Sequence, residues 1–151
     1  MTGRFEGIAL ITAVALVAAA FVVPGPERQG QSRFQICAGC HQANGRGMPG
    51  AFPPLAGSEI VAGAPEIPVR IVLHGLQGPL TVNGQRFNGT MPAWGQFSDA
   101  DIAATLTYVR SQWGNSASAV TPEQVTAVRQ ATVGRNRAWT GAEIEALLRG
   151  Q

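Results

Sequence analysis

Two thiols and an imidazole stand together in Cys37-Ala-Gly-Cys40-His41, and these are the only two cysteines in the chain. Thiols three positions apart can form a redox pair, half of a zinc site, or two thioether links to the vinyl groups of one haem. The residue that follows decides between these, and here it is histidine, which completes the C-x-x-C-H pattern that attaches haem c and holds an imidazole beneath its iron. Structural zinc needs a second pair of ligands, but the only other histidine is His74. A thioredoxin-like pair needs an α/β surround that this sequence does not offer.

An iron that only passes electrons needs a second axial ligand. The candidates are Met48, Met91 and His74. Met48 follows His41 by seven residues, too short a loop to reach around to the opposite face of a haem. His74 falls at the end of an expected helix, where capping or packing is its ordinary role. Met91 lies fifty residues beyond His41 among turn signals, in Asn88-Gly-Thr-Met-Pro-Ala-Trp94. A thioether there would favour ferrous iron and raise the potential. The axial pair read from the sequence is therefore His41 and Met91.

The elements that must position these groups read as helices. One runs through Gly30–Ile36 into the cysteines, and another from Pro65 to His74, stopped by Gly75. A third opens at Ser98-Asp-Ala-Asp101, with Ser98 as its cap and Ile102, Leu106 and Val109 at helical spacing. Residues 44–57 are rich in Gly and Pro and read as loop. Asn83-Gly84 between Leu80–Val82 and Gln85–Phe87 predicts a small hairpin. Beyond Ser116, Thr121-Pro-Glu-Gln124 and Thr140-Gly-Ala-Glu143 are two helix starts with capping-box character.

The stretch from about Gly30 to Gly114 resembles the class I cytochromes c. Cys37, Cys40 and His41 match the attachment motif, Gly89-Thr-Met-Pro-Ala93 the methionine segment, and Phe52-Pro-Pro-Leu-Ala-Gly57 the proline segment. The resemblance implies one covalent haem c, with Pro53 orienting His41 through its carbonyl. It also implies that Gly30 and Phe34 on the first helix meet Tyr108 on the last. Phe34 departs from the family pattern, standing three residues before the first cysteine where four is common. The segments around His74–Gly84 and Tyr108–Asn115 resemble cytochrome subunits of respiratory oxidases or quinoprotein dehydrogenases. The expected function is electron transfer in such a membrane complex, between a protein donor and a protein acceptor, and not catalysis. An open-site haem enzyme is the lesser alternative.

Residues 7–26 carry no charge, and the run from Ile8 to Val23 is nearly all apolar, about the length that crosses a bilayer. Arg4 before it favours an inside N-terminus. This reading prefers a transmembrane anchor at 1–26, embedded in lipid, over a cleaved signal peptide ending near Ala18-Ala19-Ala20. Either reading places the haem domain, 27–114, on the periplasmic or outer face of a bacterial inner membrane. Residues 115–151 read as a helical extension acting as a docking arm. The expected fold is all-α: a class I cytochrome c fold with one transmembrane helix before it and a short helical extension after it.

Charge supports a docked subunit more than a diffusing carrier. All 11 basic residues are arginine, against 9 acidic residues, for a net charge of +2. Residues 27–114 hold six arginines and five acids, too balanced for long-range steering. No basic run suits a nucleic-acid backbone.

Overall fold

A computed structural model describes residues 25–150. Helix α1 spans Pro26–His41 and crosses α4, Asp99–Ser111. At the crossing stands Gly30, where a Cβ would fall 2.2 Å from the Ala104 carbonyl oxygen and 2.8 Å from Tyr108 Cβ. Only glycine lets the two backbones approach this closely. One turn on, Phe34 is buried with its ring centroid 5.6 Å from Tyr108 and 5.1 Å from Trp113. Arg33 and Gln29 both donate to Asp101 Oδ1, at 2.9 and 3.2 Å, and tie the helices at their rim. The three-residue spacing from Phe34 to Cys37 is accommodated without a break. At i+3 on one continuous helix, Cys37 lies on the Phe34 face and packs into the same cluster.

Between these helices come α2, Glu59–Ala62, and α3, Glu66–His74. Ser58 caps α2, its Oγ accepting from Val61 N; no periodicity in so short a run announced it. Ser98 caps α4 as its sequence predicts, with Oγ accepting from Asp101 N at 3.1 Å.

The all-α expectation is overturned by a three-stranded sheet of order β2-β1-β3, with β1 at Leu76–Val82, β2 at Gln85–Met91 and β3 at Trp139–Thr140. The predicted turn is present, Asn83 and Gly84 having φ of 50° and 73°, as a two-residue hairpin turn requires. The strands run far beyond the few residues expected, pairing Leu76 with Met91 through Val82 with Gln85. Leu76, Leu80 and Val82 are buried on one side of β1, and Phe87 on β2 joins them. That apolar face is what makes a hairpin of Gly- and Asn-rich sequence worth forming. β3 then pairs in parallel with Leu76 and Gln77 on the other edge.

The described residues also lack the expected transmembrane helix: among them, no helix is long and apolar enough to cross a membrane. The run from Gly7 to Val23 on which that expectation rested lies outside the described residues.

Residues beyond Gly114 pack on the core. Helix α5, Pro122–Ala131, buries Val125 and Val128, with Val120 before it, against Val69 and Leu73 of α3 and Ile102 and Leu106 of α4. Helix α6, Gly141–Arg149, places Ile144, with Trp139, against the hairpin residues Leu76 and Leu80. Both capping boxes are formed, Thr121 with Gln124 and Thr140 with Glu143. Short helices are marginal alone in water, and here their apolar residues are partnered within the chain.

Candidate functional site

Helix α1 ends on the chemistry. Cys37 is half-buried, Cys40 is exposed and His41, the last helical residue, is buried. Gln42 turns out of the helix with φ 60° while its N–H still donates to Ala38 O at 2.9 Å. The chain then loops back over the helix end. Gly47 N donates to His41 O at 2.9 Å, and Leu55 N and Ala56 N both donate to Gly45 O. The return brings the Pro53 carbonyl to 2.9 Å from His41 Nδ1. A carbonyl only accepts, so the proton sits on Nδ1 and the Nε2 lone pair is left free. Burial pushes the imidazole below its ordinary pKa, opposed by the Pro53 carbonyl, so the neutral ring that binds metals is favoured. Burial likewise raises the Cys37 thiol, with its own backbone hydrogen bond opposing and Cys40 adding to the rise.

Met91 closes strand β2. Its segment is seated on the end of α3, where Trp94 N donates to Val72 O at 2.8 Å. Gly75, at φ 78°, makes that seat possible, because a Cβ there would lie 2.6 Å from Met91 O and 3.0 Å from Ala93 N.

The structure brings these residues to one cleft. A main lobe of about 690 Å³ has Cys37 and Val109 among its lining residues. A second lobe of about 530 Å³ has Cys40 and Phe87 among its own. Both lobes share His41, Pro53, Leu76, Leu80 and Met91. The walls are almost wholly apolar, with Ser58, Thr90 and Thr105 as the hydroxyl-bearing exceptions. Two thiols at the rim, a neutral buried imidazole with a free nitrogen, and a thioether in a dry cleft fit a large flat apolar group. Its metal would be one that accepts nitrogen and sulfur donors.

The other two candidates are elsewhere. Met48 is exposed and bridged to Phe52, outside the cleft lining. His74 Nε2 lies 2.7 Å from Thr132 Oγ1, and this contact ties α3 to the end of α5. Among the described residues, no three His, Cys, Asp or Glu side chains gather into a metal-holding group.

Two positioning residues within the Tyr108–Asn115 segment are given no role by the sequence. Asn115 is buried and pins the proline loop to α4. Its Nδ2 donates to Leu55 O at 3.1 Å and to Val109 O at 2.9 Å, and its Oδ1 accepts from Gly57 N at 2.8 Å. Arg110, also buried, fastens α4 to the residues after α2 and to the segment after α4. Nothing in the type or spacing of either residue marks it out from a surface polar group.

Comparison with known proteins gives the family. The family model for cytochrome c matches residues 28–113. The chain is 45% identical over 94 residues to cytochrome c-552 of Thermus thermophilus, covering 60% of this chain and 72% of that protein. It is 35% identical over 110 residues to the cytochrome c subunit of the quinone alcohol dehydrogenase of Gluconacetobacter polyoxogenes, over 71% of this chain. It is 35% identical over 98 residues to the gluconate 2-dehydrogenase cytochrome c subunit of Pantoea cypripedii, over 62% of this chain. The matched region spans only 22% of each of these two subunits.

Proposed function

The chain belongs to the cytochrome c family, which implies a covalently bound haem c, and from that premise we propose that it transfers electrons singly with His41 and Met91 as axial ligands. Cys37 and Cys40 are the attachment thiols in this reading, and Pro53 is the orienting carbonyl. The observation that carries it is the meeting of all five residues at one apolar cleft, with His41 Nδ1 bonded to Pro53 O. Haem c, when bound, supplies a one-electron couple. The protein's own residues set the conditions for it. Pro53 fixes the His41 tautomer and ring plane, and Met91 offers a soft ligand that favours the reduced state. Leu76, Leu80 and Val109 keep water from the site. A thioether in the second axial position leaves no open site for substrate, which disfavours the haem-enzyme alternative.

We place the domain on the exported face of a bacterial inner membrane, working as a subunit beside a dehydrogenase or respiratory partner. Two features support this: the likeness to dehydrogenase cytochrome subunits and the nearly balanced charge of residues 27–114. The test is expression with c-type maturation, followed by a denaturing gel stained for haem. The parent should carry covalent haem, and Cys40→Ala should lose most of it; full stain in the variant would sink the attachment. Purification in mild detergent should bring down other redox subunits, and a chain that always purified alone would remove the subunit reading.

A further inference from the structure

Among the fully buried side chains of the described residues, the largest is an arginine. Arg110 is 2% exposed, and no carboxylate among the described residues forms an ion pair with it. Its partners are neutral. Nη1 donates to the carbonyls of Val61 and Gly63, Nε donates to Ser118 O at 2.7 Å, and Nη2 donates to Ser118 Oγ at 3.2 Å. Burial pulls the guanidinium below its ordinary pKa and the charge of Glu66 opposes that, but arginine stays protonated in proteins. The segment after α4 folds back to seal it, with Ala117 N donating to Arg110 O at 3.0 Å. Burying an unpaired charge is costly, and neutral hydrogen bonds offset only part of that cost.

The position of the charge is what gives it a consequence. Arg110 follows Val109, and its Nη1 holds the Val61 carbonyl; the side chains of Val61 and Val109 both line the cleft. The guanidinium is therefore bonded to the backbone of one cleft-lining residue and follows another in the chain, so its charge is held on the elements that line the cleft.

We propose that Arg110 is a potential-setting residue: a permanent buried positive charge on the elements that line the haem cleft, which favours the reduced state of whatever couple the cleft holds. This inference rests on the cleft being a haem site. The experiment is a redox titration of the full-length, haem-loaded chain and three variants, with thermal unfolding recorded beside it. Arg110→Gln removes the charge, and Arg110→Lys keeps it. Ser118→Asp leaves Arg110 in place and sets a carboxylate against Nη2 from an exposed position.

Arg110→Gln should shift the equilibrium with a fixed mediator toward oxidised protein by several-fold, the direction set by the loss of a positive charge near the couple. Ser118→Asp should shift it the same way by less, and Arg110→Lys should stay near the parent despite lost stability. The proposal falls if Ser118→Asp leaves the equilibrium unchanged, or if Arg110→Lys shifts as far as Arg110→Gln, since a purely structural clasp would do that. Should Arg110→Gln fail to assemble, the Ser118→Asp and Arg110→Lys pair decides. Absence of covalent haem in the parent would instead overturn the reading of the cleft itself.

Discussion

His41 Nδ1 lies 2.9 Å from the carbonyl oxygen of Pro53, and Gly47 packs against the backbone of both residues. Gly47 N donates to His41 O, while a Cβ on Gly47 would fall 2.3 Å from Phe52 O and 2.6 Å from Pro53 O. Both atoms are backbone and cannot swing aside. Gly47→Ala must therefore push the Pro53 carbonyl away from the ring it orients.

Gly50 provides the control for that prediction. It also has positive φ, at 74°, but nothing lies within 4 Å of its Cβ position. Gly50→Ala should cost only the left-handed backbone penalty, about 1–2 kcal/mol, and leave the haem spectrum alone. Gly47→Ala should cost more by thermal unfolding and also alter the visible spectrum. Equal behaviour of the two variants would mean the Pro53 contact is incidental.

Met91→Leu should retain covalent haem, lose the long-wavelength ferric band of thioether ligation and lower the potential, because an axial methionine raises it. Met48→Leu and His74→Gln should keep the band, since Met48 is exposed outside the cleft and His74 is engaged with Thr132. A band that survived Met91→Leu and vanished in either of the others would move the ligand.

How much of this was legible in the sequence follows from how local each signal is. The attachment motif and the caps at Ser98, Thr121 and Thr140 are set by residues within four positions of one another. The sequence therefore carries each of them complete. Met91 stood out by its distance from His41 and its turn-rich segment, whereas the Pro53 contact came only through resemblance, because nothing local says where the proline loop returns. The sheet was underestimated for a definite reason. Only the Asn83-Gly84 turn is a local signal, while the strands are justified by Trp139 and Ile144 some fifty residues away. Arg110 and Asn115 read as ordinary polar residues, and only the folded loop around them shows otherwise.

Glu143 supplies a pH dependence. The Thr140 backbone N–H is the largest influence, and burial opposes it. Arg137, Arg135 and the Thr140 hydroxyl then add further bonds, and together they bring the carboxyl from its ordinary 4.5 to about 2. A depressed folded-state pKa contributes stability above the unfolded value that is lost as pH falls through the folded one. The melting temperature of the parent should therefore exceed that of Glu143→Gln by a constant margin above pH 4.5, and the margin should shrink as the pH falls toward about 2. A margin independent of pH across that window would show that the carboxylate's charge is not what the capping box uses.

The last prediction concerns what the C-terminal segment does for the cleft. Leu76 and Leu80 line the cleft beside Met91, and on their other contacts they share a cluster with Trp139 and Ile144. Ile144 is fully buried, and Gly141 presses its backbone against Pro79 O, leaving no room for a Cβ. The hairpin that presents Met91 is thus backed by α6 and edged by β3. Ile144→Ala should cost about 2–5 kcal/mol, the range for truncating a buried aliphatic side chain. Val133→Ala, at an 86% exposed position, should stay within about 0.5 kcal/mol of the parent. The loss in Ile144→Ala should reach the site before it reaches the helices. On heating, the thioether band should disappear at a lower temperature than helical circular dichroism, because the hairpin loses its backing while the α1–α4 crossing does not. Truncation after Gly114 goes further. It strips Val120, Val125 and Val128 from α3 and α4 as well as Trp139 and Ile144 from the hairpin, and should leave a domain that does not hold Met91 on its haem. A truncated protein with the parent's spectrum and melting temperature would show instead that the segment is an appendage and that the hairpin stands without it.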